Sequence, residues 1–349
     1  MKKSIAVGML LGGMAVFAHA DDGSFQYKDW EMTCDNTRTC RAAGYSSDDA
    51  QARVSVLLTR KAGVNQSVTA KLQLADVGDE GDPAIPKAVD FWVGQQNLGK
   101  IILKDAAGNF NPVQTRALLS ALKGSQRIYF AAGKSRWELS SEGANAVLLK
   151  LDEQQGRLNT PSALIRVGNQ SEKSVLAALP MPIIHQQKIP VANLKLWQKQ
   201  VDWSLLTQNL KVQQAKNKSD ERECSSLTEN DEYTKFEPQV EAVLPNKRLL
   251  VSGLCWRGAY NEGYGYWVIQ QQKPYKPQLV TVSASGYENG VIDAAQKGRG
   301  LGDCWWHAQW VWNGQNFVKS SDTTTGMCRM IQLGGAWDLP SYVSQVKEV

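Results

Sequence analysis

The sequence predicts an α+β protein that is mostly β, with two β-rich domains joined by a proline-containing connector and a helix. Short segments in which apolar and polar residues alternate, bounded by Gly, Pro and Asn, recur along the chain and are typical of strands. Helical spacing of apolar residues is confined to a few longer stretches. Six cysteines and a tryptophan-rich hairpin pattern indicate a β architecture held by disulfides.

Residues 1–20 are typical of a secretory signal peptide. Lys2 and Lys3 precede an apolar run from Ile5 to Phe17, and Ala18-His19-Ala20 provides an A-x-A cleavage site. We therefore expect cleavage after this site and a location in the periplasm or outside the cell. No later apolar run reaches the length of a membrane-spanning helix, so no transmembrane segment is expected.

Composition and charge leave the class of partner open. The chain has 349 residues and a formal net charge of +5, and its basic residues are dispersed along the sequence. A nucleic-acid-binding domain needs a clustered basic face, so nucleic acid is not an expected partner. The chain is long enough for two hydrophobic cores, because single cores stop growing near ~250 to 300 residues.

An N-terminal, β-sandwich-like domain with two helices is predicted over residues 21–168. Its strands are interrupted by an acidic loop from Asp76 to Pro86, whose carboxylates do not match the spacing of a calcium loop. A helix is predicted over 111–124, because Asn caps its start, Pro fits the first turn and Gly ends it. A second helix is predicted over 141–155, followed by a glycine cap.

A connector is predicted over residues 169–217 and an antiparallel, disulfide-stapled β domain over 218–349. Prolines make the first part of the connector extended, and apolar residues at helical spacing predict a linking helix over 192–210. Turn-bounded strands follow in the C-terminal domain. They are predicted over 249–256, 264–270, 279–284, the hairpin 302–318 and 328–333.

The even number of cysteines predicts three disulfides, for which the sequence alone allows fifteen connectivities. Cys34 and Cys40 lie close together and far from the rest, so they should pair. Among the other four, proximity favours Cys224–Cys255 and Cys304–Cys328, with a crossed pairing as the alternative.

Asn313-Gly314 predicts a two-residue type I′ turn between aromatic strands. In that register Trp312 faces Gln315, and Trp310 faces Phe317 as an aromatic pair.

Alternation along the first of these strands divides its aromatic residues between two faces. Trp306, Trp310 and Trp312 fall on a predicted core face, and Trp305 and His307 fall on the opposite face.

Two long segments, AVLLKLDEQQGRLNTPSALIRVG at 146–168 and GMCRMIQLGGAWDLPSYV at 326–343, resemble the family called domain of unknown function 1176. The segment DWEMTCDNTRTCRAAGY at 29–45 is also similar to the invasion-associated locus B domain. The resemblance implies export, the six-cysteine framework and the order of the domains. It implies no catalytic or ligand residue, because the family is uncharacterised.

The motifs of several enzyme classes are missing from the sequence. No H-E-x-x-H, G-x-S-x-G or C-x-x-C occurs, so zinc, serine-nucleophile and thioredoxin-type chemistry is not expected. Gly94 to Ile101 has the spacing of a phosphate loop but ends in Ile where Ser or Thr must bind Mg²⁺, so a β-turn is predicted. Asp152, Glu153 and Arg157 are interpreted as a solvated helix end, with a catalytic carboxylate pair as the alternative.

The sequence favours a non-enzymatic exported protein whose C-terminal domain binds an envelope ligand or another protein. Tyr and Trp suit binding because they combine apolar area with a polar group, although they also fill β cores. The candidate ligand-binding residues are Trp305, His307, Tyr260 and Tyr264. The alternatives are a hydrolase of envelope material that uses two carboxylates, and an inhibitor or surface interaction module. No cofactor or metal is expected.

Overall fold

The predicted fold class is confirmed, because the computed structural model is mostly β, with several antiparallel sheets and four α-helices in the part of the chain that it describes. The described residues are 23–76, 85–216, 223–229 and 232–349. The predicted signal peptide and most of the predicted acidic loop lie outside them. Within the described residues, no helix is both long enough and apolar enough to cross a membrane.

The N-terminal sheet has ten strands, all in antiparallel pairs. They are β1 Ser24–Tyr27, β2 Trp30–Cys34, β3 Cys40–Tyr45, β4 Val54–Arg60, β5 Val68–Leu74, β6 Ala88–Val93, β7 Gln96–Lys104, β8 Ala107–Asn109, β9 Ile128–Ala132 and β10 Ser135–Leu139. Their order is β1-β2-β3-β4-β5-β8-β7-β6-β9-β10. Trp30 in β2 and Phe130 in β9 belong to one core, so the sheet folds over on itself as a sandwich-like layer pair.

Two helices complete this core, α1 (Pro112–Ala121) and α2 (Ala144–Gln154). The predicted cap is present: the Asn111 side chain accepts two backbone N–H groups of the first turn, and the Gln114 side chain bonds back to the Asn111 N–H. Leu118 is fully buried on the inner side of α1. Both predicted helices are therefore confirmed, within a few residues at their ends.

The single linking helix expected over 192–210 is wrong, because two helices occupy this region, α3 (Leu194–Gln200) and α4 (Trp203–Lys216). Val201 has extended backbone angles and ends α3. The Asp202 side chain then accepts a backbone N–H of α4, which is the role of an N-cap. An Asp that competes for backbone hydrogen bonds explains the break.

The remaining strands form two antiparallel sheets and one parallel pair. They are β11 Ile183–Gln186, β12 Gln239–Leu244, β13 Arg248–Arg257, β14 Glu262–Gln270, β15 Gln278–Ala284, β16 Gly286–Glu288, β17 Val291–Lys297, β18 Trp305–Trp312, β19 Phe317–Thr324, β20 Leu339–Tyr342 and β21 Gln345–Glu348. Strands β12 to β15 form one sheet, β16 to β20 form another, and β11 pairs with β21. The strand predicted over 328–333 is wrong, since these residues form bends and turns.

These elements form three layers. Leu250 and Tyr266 of the four-stranded sheet pack against Ile292 and Trp310 of the five-stranded sheet, so a core lies between the two sheets. Leu206 of α4 and its neighbours cover the other face of the four-stranded sheet. We call the two sheets with their helices the C-terminal sandwich.

The hairpin between β18 and β19 exists, but its predicted register is wrong. Trp312 pairs with Phe317 and Trp310 pairs with Lys319, and a bulge follows between Trp310 and Gln309. The loop has four residues because the Asn313 side chain accepts the N–H groups of both Gln315 and Asn316. The local hydrogen bonds of Asn therefore select a longer turn than the Asn-Gly pair suggests.

Three disulfides join Cys34 to Cys40, Cys224 to Cys255 and Cys304 to Cys328, which is the pairing that proximity favours. The last of these ties the start of β18 to a segment that reaches the N-terminal sheet.

That segment, 326–331, is the centre of the junction between the two β units. Met327 packs with Tyr45, and its N–H donates to Glu31 Oε1 at 2.6 Å. The Tyr45 hydroxyl donates to the same oxygen at 2.6 Å. Gly326 has φ +90°, and a Cβ there would lie 2.2 Å from the Tyr45 hydroxyl, so the approach requires glycine.

Further hydrogen bonds extend the junction to both sides. The Trp337 indole N–H donates to Ser55 Oγ at 2.7 Å. The side chain of Asn36 exchanges two hydrogen bonds with the backbone of Val343, at 3.0 and 2.7 Å. The N-terminal sheet and the C-terminal sandwich therefore share a buried contact, with its own apolar core.

Candidate functional site

The structure brings two of the four predicted ligand-binding residues together. The rings of Trp305 and His307 stack with centroids 5.7 Å apart and planes at 10°. The Trp305 indole N–H donates to Gly302 O at 2.8 Å, and Lys297 Nζ lies 5.4 Å from the ring centroid. The pair is partly buried on the outer face of the five-stranded sheet, where backbone and lysine contacts already hold it.

The two predicted tyrosines make other contacts. Tyr260 is 48% exposed, and its hydroxyl donates to Gly298 O at 3.3 Å, on the turn after β17. Tyr264 packs against the core between the sheets and donates to Glu262 Oε1 at 3.2 Å. Burial raises the pKa of the Tyr264 phenol. The contacts of Tyr264 are therefore those of a core residue with a satisfied hydroxyl.

A different place in the chain has the shape of a binding site. A groove of about 720 Å³ opens where β1 and β2 of the N-terminal sheet meet the end of the C-terminal sandwich. We call it the junction groove. Its lining residues are Ser24, Thr33, Thr281, Ser283, Trp306, Lys319, Asp322, Thr324, Leu339, Ser341 and Tyr342. Because both β units contribute, no single stretch of sequence contains it, and sequence reasoning missed it.

Trp306 is the aromatic centre of the junction groove. The sequence places it on the core face of β18, and it does pack against that core, but it is only partly buried because the groove opens beside it. Its indole N–H donates to Asp322 Oδ1 at 2.9 Å, and Asp322 Oδ2 lies 2.5 Å from Lys319 Nζ. The indole is therefore held in place, and the two charged side chains among the described lining residues neutralise each other.

Gln296 adds an unsatisfied acceptor next to the groove. It pairs with Trp306 across β17 and β18 and is only 8% exposed. Its amide nitrogen donates to Glu262 O and to Ser283 O, at 2.9 and 3.1 Å. Its Oε1 is buried and has no hydrogen-bond partner among the described residues. A buried acceptor without a partner costs stability unless a ligand or water donates to it.

The lining as a whole suits an uncharged polar ligand. Most of the side chains carry hydroxyl groups, which both donate and accept hydrogen bonds. An indole and a phenol supply the flat apolar surface on which a sugar ring or a peptide side chain can pack. A pocket of this size, with aromatic surface and a few placed polar groups, has the features of a small-ligand site.

A second groove, of about 660 Å³, lies beside strand β10, and we call it the β10 slot. Two of its three lining carboxylates, Glu138 and Glu142, are paired with cations. The hydrogen bond from Arg127 lowers the pKa of Glu138, and the hydrogen bond from Lys28 lowers that of Glu142. Acids with lowered pKa values stay ionised at neutral pH, so neither is suited to act as a general acid.

The Asp152 and Arg157 cluster is neither solvated nor part of a cleft, so the interpretation as a solvated helix end is wrong. Both side chains are fully buried. Asp152 Oδ2 accepts two backbone N–H groups, and Oδ1 lies 3.5 Å from Arg60 Nη1. Burial raises the pKa of Asp152 and lowers that of Arg60 to about 10. Glu153, by contrast, is at the surface and pairs with Lys150.

Two other sequence features have structural roles. Gly99 and Lys100 lie within strand β7, so the segment that resembles a phosphate loop is a turn and a strand, and the strand continues where a phosphate loop would start a helix. Asp303, Cys304 and Cys328 lie close enough to hold a metal ion, but the two sulfurs form a disulfide and Asp303 is paired with Arg299. These residues do not form a metal centre.

The chain belongs to the family described as "Protein of unknown function (DUF1176)", whose profile matches residues 24–344. It is similar to the uncharacterized protein YpfG of Escherichia coli (strain K12), with 24% identity over 322 residues, which cover 83% of this chain and 84% of that protein. No solved structure matches the chain. The family expected from the two long segments is thus confirmed, and its description assigns no activity.

Proposed function

We propose that this protein is a non-enzymatic binding protein of the cell envelope, which holds an uncharged polar ligand such as a glycan segment in the junction groove. The observation that carries the proposal is the groove itself, where Trp306 presents a fixed indole among hydroxyl groups and one internally neutralised ion pair.

The location is proposed with the function. An N-terminal segment typical of a signal peptide supports export to the periplasm, and three disulfides are typical of an oxidising compartment. The division into an N-terminal domain over 21–168, a connector over 169–217 and a C-terminal domain over 218–349 belongs to the same proposal. The groove would then lie between the first and last of these.

The carboxylate chemistry of the described residues supports binding over hydrolysis. Cleavage of a glycosidic bond needs one carboxyl that is protonated near neutral pH and a second across the cleft. Burial raises the pKa values of Glu31 and Asp152, but Glu31 lies in the junction core and Asp152 in a buried network, and neither lines the two grooves. The junction groove has one carboxylate, that of Asp322.

A second candidate is an inhibitor or surface interaction module, which the similarity of residues 29–45 to the invasion-associated locus B domain suggests. One observation favours it. Trp92 and Tyr129 stack on the outer face of the N-terminal sheet, 5.8 Å apart and nearly parallel, and the Arg136 guanidinium lies 3.4 Å from the Tyr129 ring centroid. Aromatic and arginine side chains of this kind are enriched in protein interfaces.

Two adjacent tryptophans provide a matched test of the proposed function. Trp306→Ala removes the aromatic surface of the junction groove, and Trp305→Ala removes the stack on the outer sheet face. The probes are neutral chito-oligosaccharides and disaccharide-peptide fragments of peptidoglycan, titrated by calorimetry against the full chain. We expect wild type to bind one probe class and Trp306→Ala to weaken that binding at least about tenfold, with Trp305→Ala close to wild type.

Thermal unfolding of both variants shows whether the fold is retained. If neither probe class gives saturable binding to wild type, or if Trp305→Ala loses binding while Trp306→Ala keeps it, the junction groove is not the site.

A further inference from the structure

Strand β10 lies at the edge of the N-terminal sheet, and the β10 slot runs along it. One wall of the slot is β10 with the residues after it, and the other is formed by the loop between β3 and β4 and the turn before β9. The lining residues are Ser47, Asp49, Ala50, Gln51, Ala52, Ser125, Gln126, Arg127, Arg136, Glu138, Leu139, Ser140, Ser141 and Glu142. The walls meet at Ser140, whose N–H donates to Tyr45 O at 3.1 Å.

The backbone of β10 presents unused hydrogen-bonding groups to this slot. Ala132 and Ser135 flank a two-residue turn, so they form the hydrogen-bonded pair that closes the β9–β10 hairpin. Bonded and non-bonded pairs alternate in an antiparallel ladder, so the N–H and C=O groups of Arg136 and Glu138 point away from β9. No hydrogen bond joins these groups to other backbone among the described residues.

The edge lacks several common forms of protection. Strand β10 contains no proline, pairs with β9 without a bulge, and has no strand beside it on its outer side in the described structure. Its inward side chains, Trp137 and Leu139, are buried in the core, so the strand is held in place. A fixed edge with free backbone groups is the surface to which an extended peptide adds as a further strand.

The slot is lined by both signs of charge, including Asp49 on the wall opposite β10, so the choice of peptide charge depends on the local surroundings of Arg136. Arg127 is paired with Glu138, and Lys28 with Glu142. The guanidinium of Arg136 stacks on Tyr129 and has no carboxylate partner among the described residues. A peptide carboxylate at this position would gain an ion pair with a guanidinium whose aromatic contact already orients it.

We propose that β10 accepts an extended segment of a partner protein as an additional strand, with an acidic side chain of that segment directed at Arg136. The proposal gives the second candidate function a partner class and rests on it, and it does not depend on the junction groove. About five residues would pair along β10, because β10 itself has 5 residues. The walls that meet at Ser140 would limit the segment at that end.

The experiment uses the full chain and a random heptapeptide display library as the probe. Enriched peptides are synthesised, and their binding is mapped by amide chemical shifts of the isotope-labelled protein. We expect enriched peptides to contain acidic residues and to shift the amides of 135–139 most. N-methylation of the alternate peptide amides that face β10 should weaken binding at least about fivefold for each lost hydrogen bond, and methylation of the other amides should have a smaller effect.

Protein variants give an independent readout. Glu138→Pro removes an N–H that faces the slot and leaves the ladder bonds intact, so it should weaken binding at least about fivefold, and Glu138→Gln serves as its matched control. Arg136→Glu should change the enriched peptides from acidic to basic.

Three results would overturn the proposal: no enrichment over a blank surface, amide shifts centred elsewhere, or equal loss of affinity from both methylation patterns. The methylation comparison needs no protein variant, so it tests strand addition to β10 even if Glu138→Pro does not fold. Failure here leaves the sugar titrations unaffected, and Trp306→Ala should bind the peptides as wild type does.

Discussion

The buried network around Asp152 gives the sharpest prediction about stability. Asp152→Asn keeps the size of the side chain and removes its charge. The asparagine carbonyl can replace Oδ2, which accepts the N–H groups of Leu164 and Ile165 at 2.6 and 3.0 Å. Its NH₂ group then takes the place of Oδ1, and a donor faces the Arg60 guanidinium where an acceptor stood. Arg60 and Arg157 remain buried and lose one of their two counter-charges, since Glu172 still attracts both.

The expected loss can be estimated from these contacts. Removing one partner of a buried ion pair costs about 3 to 5 kcal/mol, because the remaining charge stays desolvated. For a domain of this size that corresponds to a fall of roughly 6 to 20 °C in the midpoint of thermal unfolding. The raised pKa of Asp152 shows that burial is costly for its own charge. The variant keeps the burial cost of the two arginines and loses the attraction of Asp152, while that of Glu172 remains.

The neighbouring residue is a matched control. Glu153 has a side chain that is 57% exposed and a surface contact with Lys150, so Glu153→Gln should change the free energy of unfolding by no more than about 0.5 kcal/mol. Scanning calorimetry of both variants and of wild type makes the comparison. If Asp152→Asn has the same unfolding midpoint as wild type, or if both variants lower the midpoint equally, the charge of Asp152 does not stabilise the fold.

Three further predictions concern other parts of the chain. Burial raises the pKa of Glu31 above 4.5, so the free energy of unfolding of wild type should rise relative to that of Glu31→Gln as the pH falls from neutral towards 4.5. A difference between the two proteins in urea unfolding that does not change with pH would contradict this. Asn111→Ala removes the cap of α1 and should lower the free energy of unfolding by about 1 kcal/mol in urea; an unchanged midpoint would show that the capping box contributes nothing. The double change Cys304→Ser and Cys328→Ser should cost about 3 kcal/mol and make the peptide bonds near Met327 cleavable by protease first; initial cleavage in the connector would refute a role at the junction.

The parts of the fold that the sequence predicts correctly depend on local chemistry. The helix after Asn111 is fixed by a cap, a proline and helical spacing within one short segment, and all three are present in the structure. The disulfide pairing follows from proximity along the chain, since each bridge closes a loop of at most 31 residues. Residues close together in the sequence determine these features, so they can be predicted without the positions of distant strands.

The errors arise where two local preferences compete or where distant parts meet. Asn313, followed by glycine, predicts a two-residue turn, but its side chain accepts two backbone N–H groups and stabilises a longer loop. Alternation correctly separates Trp305 from Trp306, yet it cannot show that the core face of β18 opens into a groove at its end. That opening depends on β1 and β2, almost three hundred residues earlier in the chain.

The junction connects the groove structurally to the C-terminal disulfide. Leu339 packs in the junction core with Tyr45 and Met327, and it also lines the groove. Cys304, two residues before Trp306, is bonded to Cys328, next to Met327, so the covalent link runs from the groove to the junction. A change that separates the N-terminal sheet from the C-terminal sandwich would therefore remove one wall of the groove. The other wall would lose its packing contacts in the junction core. Binding in the groove should stabilise the whole chain against unfolding, because the ligand would contact both β units at once.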